Sequence, residues 1–228
     1  MVTFHRRPLP TDLVALDSEP GRALLVEAVA RGTAASFFPL ISQLHTQAEP
    51  AWCGLGTLVT TLNALDVDPG RAWKGPWRHF SEDLLICCKA LEDAATDGLT
   101  LVEVGCLARC NGAEVRGVVA EPGTLPSLRE DVRACVTTNT GPFLVANYTR
   151  AALGQTGTGH FSPIGAWHEE SDQVLILDVA RFKYPPHWVP LARLHAAMTD
   201  ADPDTGHPRG WLVLERSELP PESRPRCG

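Results

Sequence analysis

The chain changes character near its middle, from apolar helical segments to short β-rich segments, and this order limits the folds open to it. Residues 53–65 read CGLGTLVTTLNAL, an apolar helix interior that ends at a turn rich in Asp, Pro and Gly. In the second half, short runs of β-branched and aromatic residues predict strands at 143–148, 160–167, 174–179 and 211–214. The pattern predicts an α+β fold, a helical half followed by an antiparallel sheet.

Weaker patterns complete the outline of the chain. Apolar spacing predicts three further helices, at 21–31, 81–91 and 100–110, and one strand at 114–119. Residues 1–20 lack periodicity and predict an irregular arm. Residues 217–228 are rich in proline and arginine and predict a flexible tail.

Charge and cysteine usage exclude several classes of partner. The chain has 27 acidic and 20 basic residues, a net charge of −7, and no Lys/Arg cluster that would neutralise a phosphate backbone. We therefore expect no nucleic acid partner, and the lack of a signal peptide or a long apolar run predicts no membrane span. Seven cysteines, an odd count, favour a reducing compartment, the cytoplasm, where cysteines serve as nucleophiles, metal ligands or core residues.

Cys53 opens the best-defined helix of the chain. A helix N-terminus carries about half a positive charge, so we expect it to favour the thiolate and to lower the pKa of Cys53. Gln47 lies six residues earlier, close enough for its side-chain amide to share an oxyanion site with the Cys53 backbone N–H. The two residues predict a thiol nucleophile with its oxyanion donors.

A candidate base and a group that would orient it lie on neighbouring predicted strands. His160 begins one strand, and Asp178 follows eighteen residues later in the segment VLILDVA. A hairpin between the two strands would place the imidazole beside the carboxylate, as general base and orienting group for Cys53.

The same three residues also allow structural interpretations. Cys53 fits a small buried residue, His160 fits a core histidine beside Phe161, and Asp178 fits an ion pair with Arg181. A carboxylate within an apolar strand is costly to bury without hydrogen bonds. That cost, together with the order of the three residues, favours the catalytic interpretation.

Four segments of the chain closely resemble the phytochelatin synthase family of plants and algae: 37–65, 68–80, 156–167 and 176–191, the last reading ILDVARFKYPPHWVPL. The resemblance extends from about residue 21 to 216 and implies one catalytic domain with a papain-like fold, a helical lobe carrying the cysteine and an antiparallel sheet lobe carrying the histidine and aspartate. It implies a glutathione γ-glutamylcysteinyltransferase for heavy-metal detoxification. A γ-Glu-Cys thioester would form on the cysteine, with release of glycine, and pass to a second glutathione or a growing phytochelatin. Plant members continue into a cysteine-rich C-terminal region, for which we expect no counterpart here.

The resemblance also implies substrate-binding residues. Arg181, Lys183 and Tyr184 would form the acceptor pocket, where a bidentate arginine suits the carboxylates of glutathione. Asp202 and Arg209 would hold the amine and carboxylate of the donor's γ-glutamyl end. Thr46, which matches a family threonine beside the oxyanion glutamine, and Gly159 complete the set of substrate-binding residues.

Four cysteines of the first half match family cysteines: Cys87, Cys88, Cys106 and Cys110. Cys106 and Cys110 lie one helical turn apart, and together with Cys87 or Cys88 they could bind a soft ion such as Cd²⁺ or Zn²⁺. The alternative is that Cys87 and Cys88 are core residues of a helix, and the Cys-x-x-Cys pairs usual in zinc sites are absent. The resemblance implies activation by Cd, Zn or Cu, mainly as the metal–glutathione thiolate substrate, and no organic cofactor.

Two other functions fit parts of the sequence. A thiol peptidase that removes glycine from glutathione or its conjugates would share the catalytic residues and differ in the acceptor pocket. A non-catalytic cysteine-based metal-binding protein would have no use for Gln47, His160 and Asp178 in these places. The expected partners are glutathione and phytochelatin oligomers, and the sequence leaves a homodimer open.

Overall fold

The computed structural model describes residues 3–85, 89–203 and 206–224, and these form helices around a single sheet. The helices are α1 (Glu19–Ala30), α2 (Phe37–Ser42), α3 (Cys53–Ala64), α4 (Leu91–Asp97), α5 (Leu101–Cys110), α6 (Leu125–Val136) and α7 (Leu191–Thr199). The strands are β1 (Val14–Ala15), β2 (Ala113–Val119), β3 (Phe143–Thr149), β4 (Gly159–His168), β5 (Gln173–Ile176), β6 (His187–Pro190) and β7 (Gly210–Arg216). All pairings are antiparallel, in the order β1-β6-β5-β4-β3-β7-β2. The predicted α+β class is confirmed.

Both faces of the sheet are covered by helices. Phe143 and Val145 of β3 pack on the side of α1, α2, α3 and α5, whereas Leu144 and Ala146 pack on the side of α6 and α7. Because successive strand residues point to opposite faces, a two-sided core requires an apolar run without alternation. This explains why every residue of β3 is buried.

The contact between α3 and β4 determines where the candidate site lies. Every residue of α3 from Cys53 to Leu62 is buried. The Thr57 hydroxyl donates to the Phe161 carbonyl across this contact, at 3.1 Å. The start of α3, which carries Cys53, is thereby fixed against the strand that carries His160.

The predicted elements differ from the structure where the sequence pattern is mixed. The helix predicted at 81–91 is wrong for the described residues: Glu82–Leu84 form one 3-10 turn and α4 begins at Leu91. Glu82 is buried and its carboxylate accepts hydrogen bonds from the Ala48 N–H, at 3.2 Å to each oxygen, so it is drawn inward instead of facing solvent in a first helical turn. The sequence analysis also missed α6, α7 and β6, and the predicted irregular arm contains β1, which pairs with β6.

Candidate active site

Cys53 and His160 line the same cavity, of about 350 Å³, between the start of α3 and the sheet. Cys53 is the first residue of α3, and His160 is the second residue of β4. Three cations share the lining of this cavity: Arg150, Lys183 and Arg209. Groups from both halves of the chain therefore face one space that a small anionic peptide could occupy.

The Cys53 thiol is almost wholly buried, and burial raises its pKa above the ordinary value. The backbone N–H groups of Phe161 and Gly54 and the charge of Arg150 act in the opposite direction, but they do not outweigh burial. The Gly54 N–H at the start of α3 does lower the pKa, as predicted, but burial outweighs it, so the predicted net lowering is wrong. Since burial disfavours the charged form, the thiol form of Cys53 is favoured, and a nucleophilic role for it would require a base.

That base is available in His160, whose Nε2–H donates to Asp178 Oδ1 at 2.9 Å. This hydrogen bond assigns the ring proton to Nε2 and leaves Nδ1 as the acceptor nitrogen. The Tyr148 ring packs edge-on against the imidazole, with centroids 5.7 Å apart. Asp178 lies two residues beyond the end of β5, beside β4, as the predicted pairing requires.

Asp178 is fully buried, and its charge is balanced by a residue that the sequence analysis missed. Arg150 Nη2 lies 2.9 Å from both carboxylate oxygens, and the Ala180 N–H donates to Oδ1 at 2.9 Å. The suggested partner Arg181 is exposed and forms no ion pair with Asp178 among the described contacts. The cost of burying a lone carboxylate was the signal that a buried cation must be present.

The electrostatic balance keeps Asp178 ionised and His160 neutral. Burial would raise the pKa of Asp178, but His160 and Arg150 together hold it well below its usual range. Burial, helped by the charge of Arg150, lowers the pKa of His160 to about 4, although Asp178 opposes this shift. A neutral imidazole on the same cavity as a thiol has the protonation state that a general base needs before it accepts a proton.

Gln47 is buried near the start of α3, but its amide is already engaged. Its Nε2 donates to the carbonyls of Glu49 and Pro50, at 2.9 Å each, and its Oε1 is buried without a partner. Both hydrogens of the amide are thus used by the chain segment that leads into α3. An oxyanion role, as predicted, requires one of these hydrogen bonds to be exchanged for the substrate.

The predicted donor residues Asp202 and Arg209 line the Cys53 cavity, and so does Gly159, which was predicted as a further substrate-binding residue. Arg209 is buried and pairs with Asp202 at 3.2 Å. Its guanidinium lies so close to Gly159 that a Cβ there would come within 3.3 Å of Nε and Nη2. Gly159 therefore makes room for a buried cation at the wall of the cavity.

The predicted acceptor residues do not share one cavity. Lys183 lines the Cys53 cavity, whereas Arg181 and Thr46 line a second cavity of about 470 Å³ together with Arg6. Tyr184 lies among the lining residues of neither; it is buried, and its hydroxyl accepts a hydrogen bond from the Thr156 N–H at 2.9 Å. The two cavities share one wall residue, Phe182.

The predicted metal cysteines fall partly outside the described residues. Cys87 and Cys88 lie there. Cys106 is in a disulfide, so it offers no thiolate to a metal ion as predicted, and Cys110 is half-buried. Within the described ranges, no group of three or more His, Cys, Asp or Glu side chains is arranged to hold a metal ion. Across the same ranges, no helix combines the length and the apolar character needed to cross a membrane.

Comparison with solved structures gives a similarity to the peptidase domain of Streptococcus ComA, a bi-functional ABC transporter involved in quorum sensing. The TM-score is 0.47 at 14% sequence identity, over 77% of this chain and 98% of that one.

Comparison with protein families and curated sequences places the chain more closely. The family model "Phytochelatin synthase" matches residues 4–211. The chain is 47% identical over 219 residues to glutathione γ-glutamylcysteinyltransferase 3 of Lotus japonicus, and 46% identical over 222 residues to enzyme 1 of Arabidopsis thaliana. These matches cover 96% and 97% of this chain but 46% of each relative, so the chain spans about half the length of the curated proteins it matches. The Schizosaccharomyces pombe enzyme is 43% identical over 96% of this chain and 52% of its own length. The chain belongs to the phytochelatin synthase family.

Proposed function

We propose that the chain transfers a γ-glutamylcysteinyl group from one glutathione to another and so makes phytochelatins. The single observation that carries the proposal is the His160–Asp178 hydrogen bond of 2.9 Å at a cavity that Cys53 also lines. Membership of the phytochelatin synthase family and similarity to glutathione γ-glutamylcysteinyltransferases support the choice of glutathione as substrate.

In the first half-reaction, the Cys53 sulfur attacks the carbonyl carbon that joins cysteine to glycine, and His160 Nδ1 takes the thiol proton. The C–N bond then breaks, glycine leaves with the proton returned by His160, and a thioester remains on Cys53. In the second half-reaction, the α-amine of the acceptor attacks the thioester and gives its proton to His160. The C–S bond breaks and Cys53 recovers its proton, so the enzyme returns to its starting state.

The charges around the cavity suit the donor. The γ-glutamyl end of glutathione carries an amine and a carboxylate, and Asp202 and Arg209 offer a carboxylate and a guanidinium side by side. A bidentate arginine contact fixes a carboxylate in orientation as well as position. We propose that the donor's zwitterionic end binds this pair, which directs its cysteinyl carbonyl toward Cys53.

The second cavity supplies a place for the acceptor. Arg181 and Arg6 offer positive charge there, and Phe182 is shared with the Cys53 cavity. An amine held in line beside the thioester reacts at a high effective concentration, which lets it compete with water. The metal enters as the metal–glutathione thiolate, a substrate. Because Cys53 must stay reduced to act, we propose that the protein works in the cytoplasm.

The deciding experiment is incubation of the protein with glutathione and Cd²⁺, followed by mass spectrometry. The proposal predicts free glycine together with (γ-Glu-Cys)n-Gly oligomers. Free γ-Glu-Cys without oligomers would instead identify a peptidase, and metal binding without glycine release would identify a metal-binding protein. Cys53→Ser should abolish both products. Cys135→Ala is the control and should keep them, because Cys135 is a buried free cysteine in the core on the other face of the sheet.

A further inference from the structure

Behind Asp178, buried polar side chains form a continuous hydrogen-bonded run away from the cavity. Arg150 Nη1 donates to Gln155 Oε1 at 2.5 Å, and Gln155 Nε2 lies 2.9 Å from His187 Nε2. His187 Nδ1 lies 2.8 Å from the Pro185 carbonyl. We call Arg150, Gln155 and His187 the buried relay.

The donors and acceptors of the relay admit one orientation. Arginine has only donors, so the oxygen of Gln155 must face Arg150 and its NH₂ group must face His187. His187 Nε2 must then be the unprotonated, accepting nitrogen, which places the ring proton on Nδ1, where the Pro185 carbonyl accepts it. The donor and the acceptor of every hydrogen bond between Pro185 and Arg150 are therefore determined, because Arg150 can only donate and the Pro185 carbonyl can only accept.

Gln155 and His187 are buried, and neither is among the residues that line the two cavities beside Phe182. They are therefore not placed to touch a substrate. A buried polar group without a partner is energetically costly, so these side chains favour the position of Arg150 in which its guanidinium contacts Asp178.

We propose that Gln155 and His187 are positioning residues, which hold the Arg150 guanidinium against Asp178 and thereby keep the His160 imidazole aimed at Cys53. This inference rests on the proposed function only in taking His160 as the base for Cys53. His187 must stay neutral for the relay to persist, because a second ring proton would face the NH₂ group of Gln155. Burial lowers the pKa of His187; Asp178 and the Pro185 carbonyl act against that shift, and Arg150 acts with it.

The test compares Gln155→Met and His187→Leu, which break the relay, with His187→Gln, which keeps one acceptor and one donor. The first readout is kcat and KM for glycine release. A misplacement of about 1 Å in a catalytic group can cost on the order of 100-fold, so we expect Gln155→Met and His187→Leu to lower kcat at least tenfold with KM changed less than threefold. His187→Gln should restore kcat to within about threefold of wild type.

A second readout does not need glutathione. The rate at which iodoacetamide alkylates Cys53, followed by peptide mass spectrometry, reports removal of the thiol proton, and its pH profile should shift in Gln155→Met but not in His187→Gln. If all variants keep the wild-type melting temperature and their kcat and alkylation profiles are also unchanged, the positioning role is wrong. If His187→Gln is as impaired as His187→Leu, the hydrogen-bond direction is not what matters and the proposal also fails.

The two readouts separate this proposal from the proposed function. If wild type releases no glycine, the glutathione reaction fails, while the alkylation profiles still decide whether the buried relay positions His160. A variant that does not fold is replaced by the double variant Gln155→Met/His187→Leu, whose apolar pair leaves no amide facing an imidazole. This double variant should show the same altered alkylation profile, and a wild-type profile would overturn the proposal.

Discussion

Arg150 and Asp178 form an ion pair closed to solvent, with Nη2 2.9 Å from both carboxylate oxygens. The pair lies directly behind the His160 imidazole, so the carboxylate that accepts the hydrogen bond of this ring is balanced by an internal cation. Removing one partner of such a pair leaves an uncompensated buried charge.

The first prediction concerns the stability of this pair. Arg150→Met should lower the free energy of unfolding by about 3–5 kcal/mol, as is typical when one partner of a buried pair is removed. Arg129→Met is the matched control, because Arg129 pairs with Asp172 at 2.7 Å but is partly exposed; its loss should cost less than about 1 kcal/mol. Urea denaturation measures both, and equal losses would contradict the special role of the buried pair.

The second prediction concerns pH. The pKa of His160 is about 4 in the folded protein and about 6.5 in an unfolded chain. Between these values the unfolded state binds the extra proton, so the free energy of unfolding should fall as the pH drops from about 6.5 to 4, by about 3 kcal/mol.

His160→Gln should flatten, but not abolish, this pH dependence, because His187 has a lowered pKa as well. Asp178 adds a loss in the same direction only below about pH 4, where the unfolded carboxyl is protonated. Thermal melting at pH 7, 5.5 and 4.5 tests the slope.

The third prediction concerns donor binding. Arg209→Lys keeps a positive charge but loses the planar fork, so KM for glutathione should rise about tenfold while kcat falls less. Arg216→Lys is the control, since Arg216 is exposed and pairs at the surface with Asp66. Steady-state glycine release gives both constants; an unchanged KM would remove Arg209 from the donor site.

The fourth prediction concerns the oxyanion. Loss of one oxyanion donor costs about 100–1,000-fold in kcat, and Gln47→Ala should show this if its amide turns from the Glu49 and Pro50 carbonyls to the substrate. Gln43→Ala, at the end of α2, serves as the control. A fall in thermal stability without a fall in kcat would show that Gln47 only braces the segment before α3.

The fifth prediction concerns the choice between transfer and hydrolysis. Arg181→Met should raise the ratio of free γ-Glu-Cys to phytochelatin severalfold. An acceptor amine that is held less firmly attacks the thioester more slowly, so water hydrolyses a larger share of it. Total glycine release should change little, since Arg181 does not line the Cys53 cavity. Arg78→Met, at a surface ion pair with Asp68, is the control. An unchanged product ratio would show that Arg181 is not part of the acceptor site.

The sequence was informative where one strong pattern determined one element. The apolar run after Cys53 predicted α3, and the β-branched runs predicted the strands that carry His160 and precede Asp178. It was less informative where tertiary contacts decide the outcome. The pKa of Cys53 depends on how deeply the thiol is buried, and the partner of Asp178 is a residue 28 positions away, on no shared motif. The α6 helix was missed because it pairs a narrow apolar face with charged residues, and that pattern identifies a helix only when a sheet is there to cover the apolar face. The α7 helix was missed because its nine residues are too few for a clear helical period.

A single aromatic ring, that of Phe182, is the boundary common to both cavities. In the proposed reaction, the choice between lengthening another peptide and losing the fragment to water therefore depends on a residue that carries no charge and takes no part in the chemistry. A substitution of Phe182 alone would then change the length of the product while Cys53 and His160 stay the same.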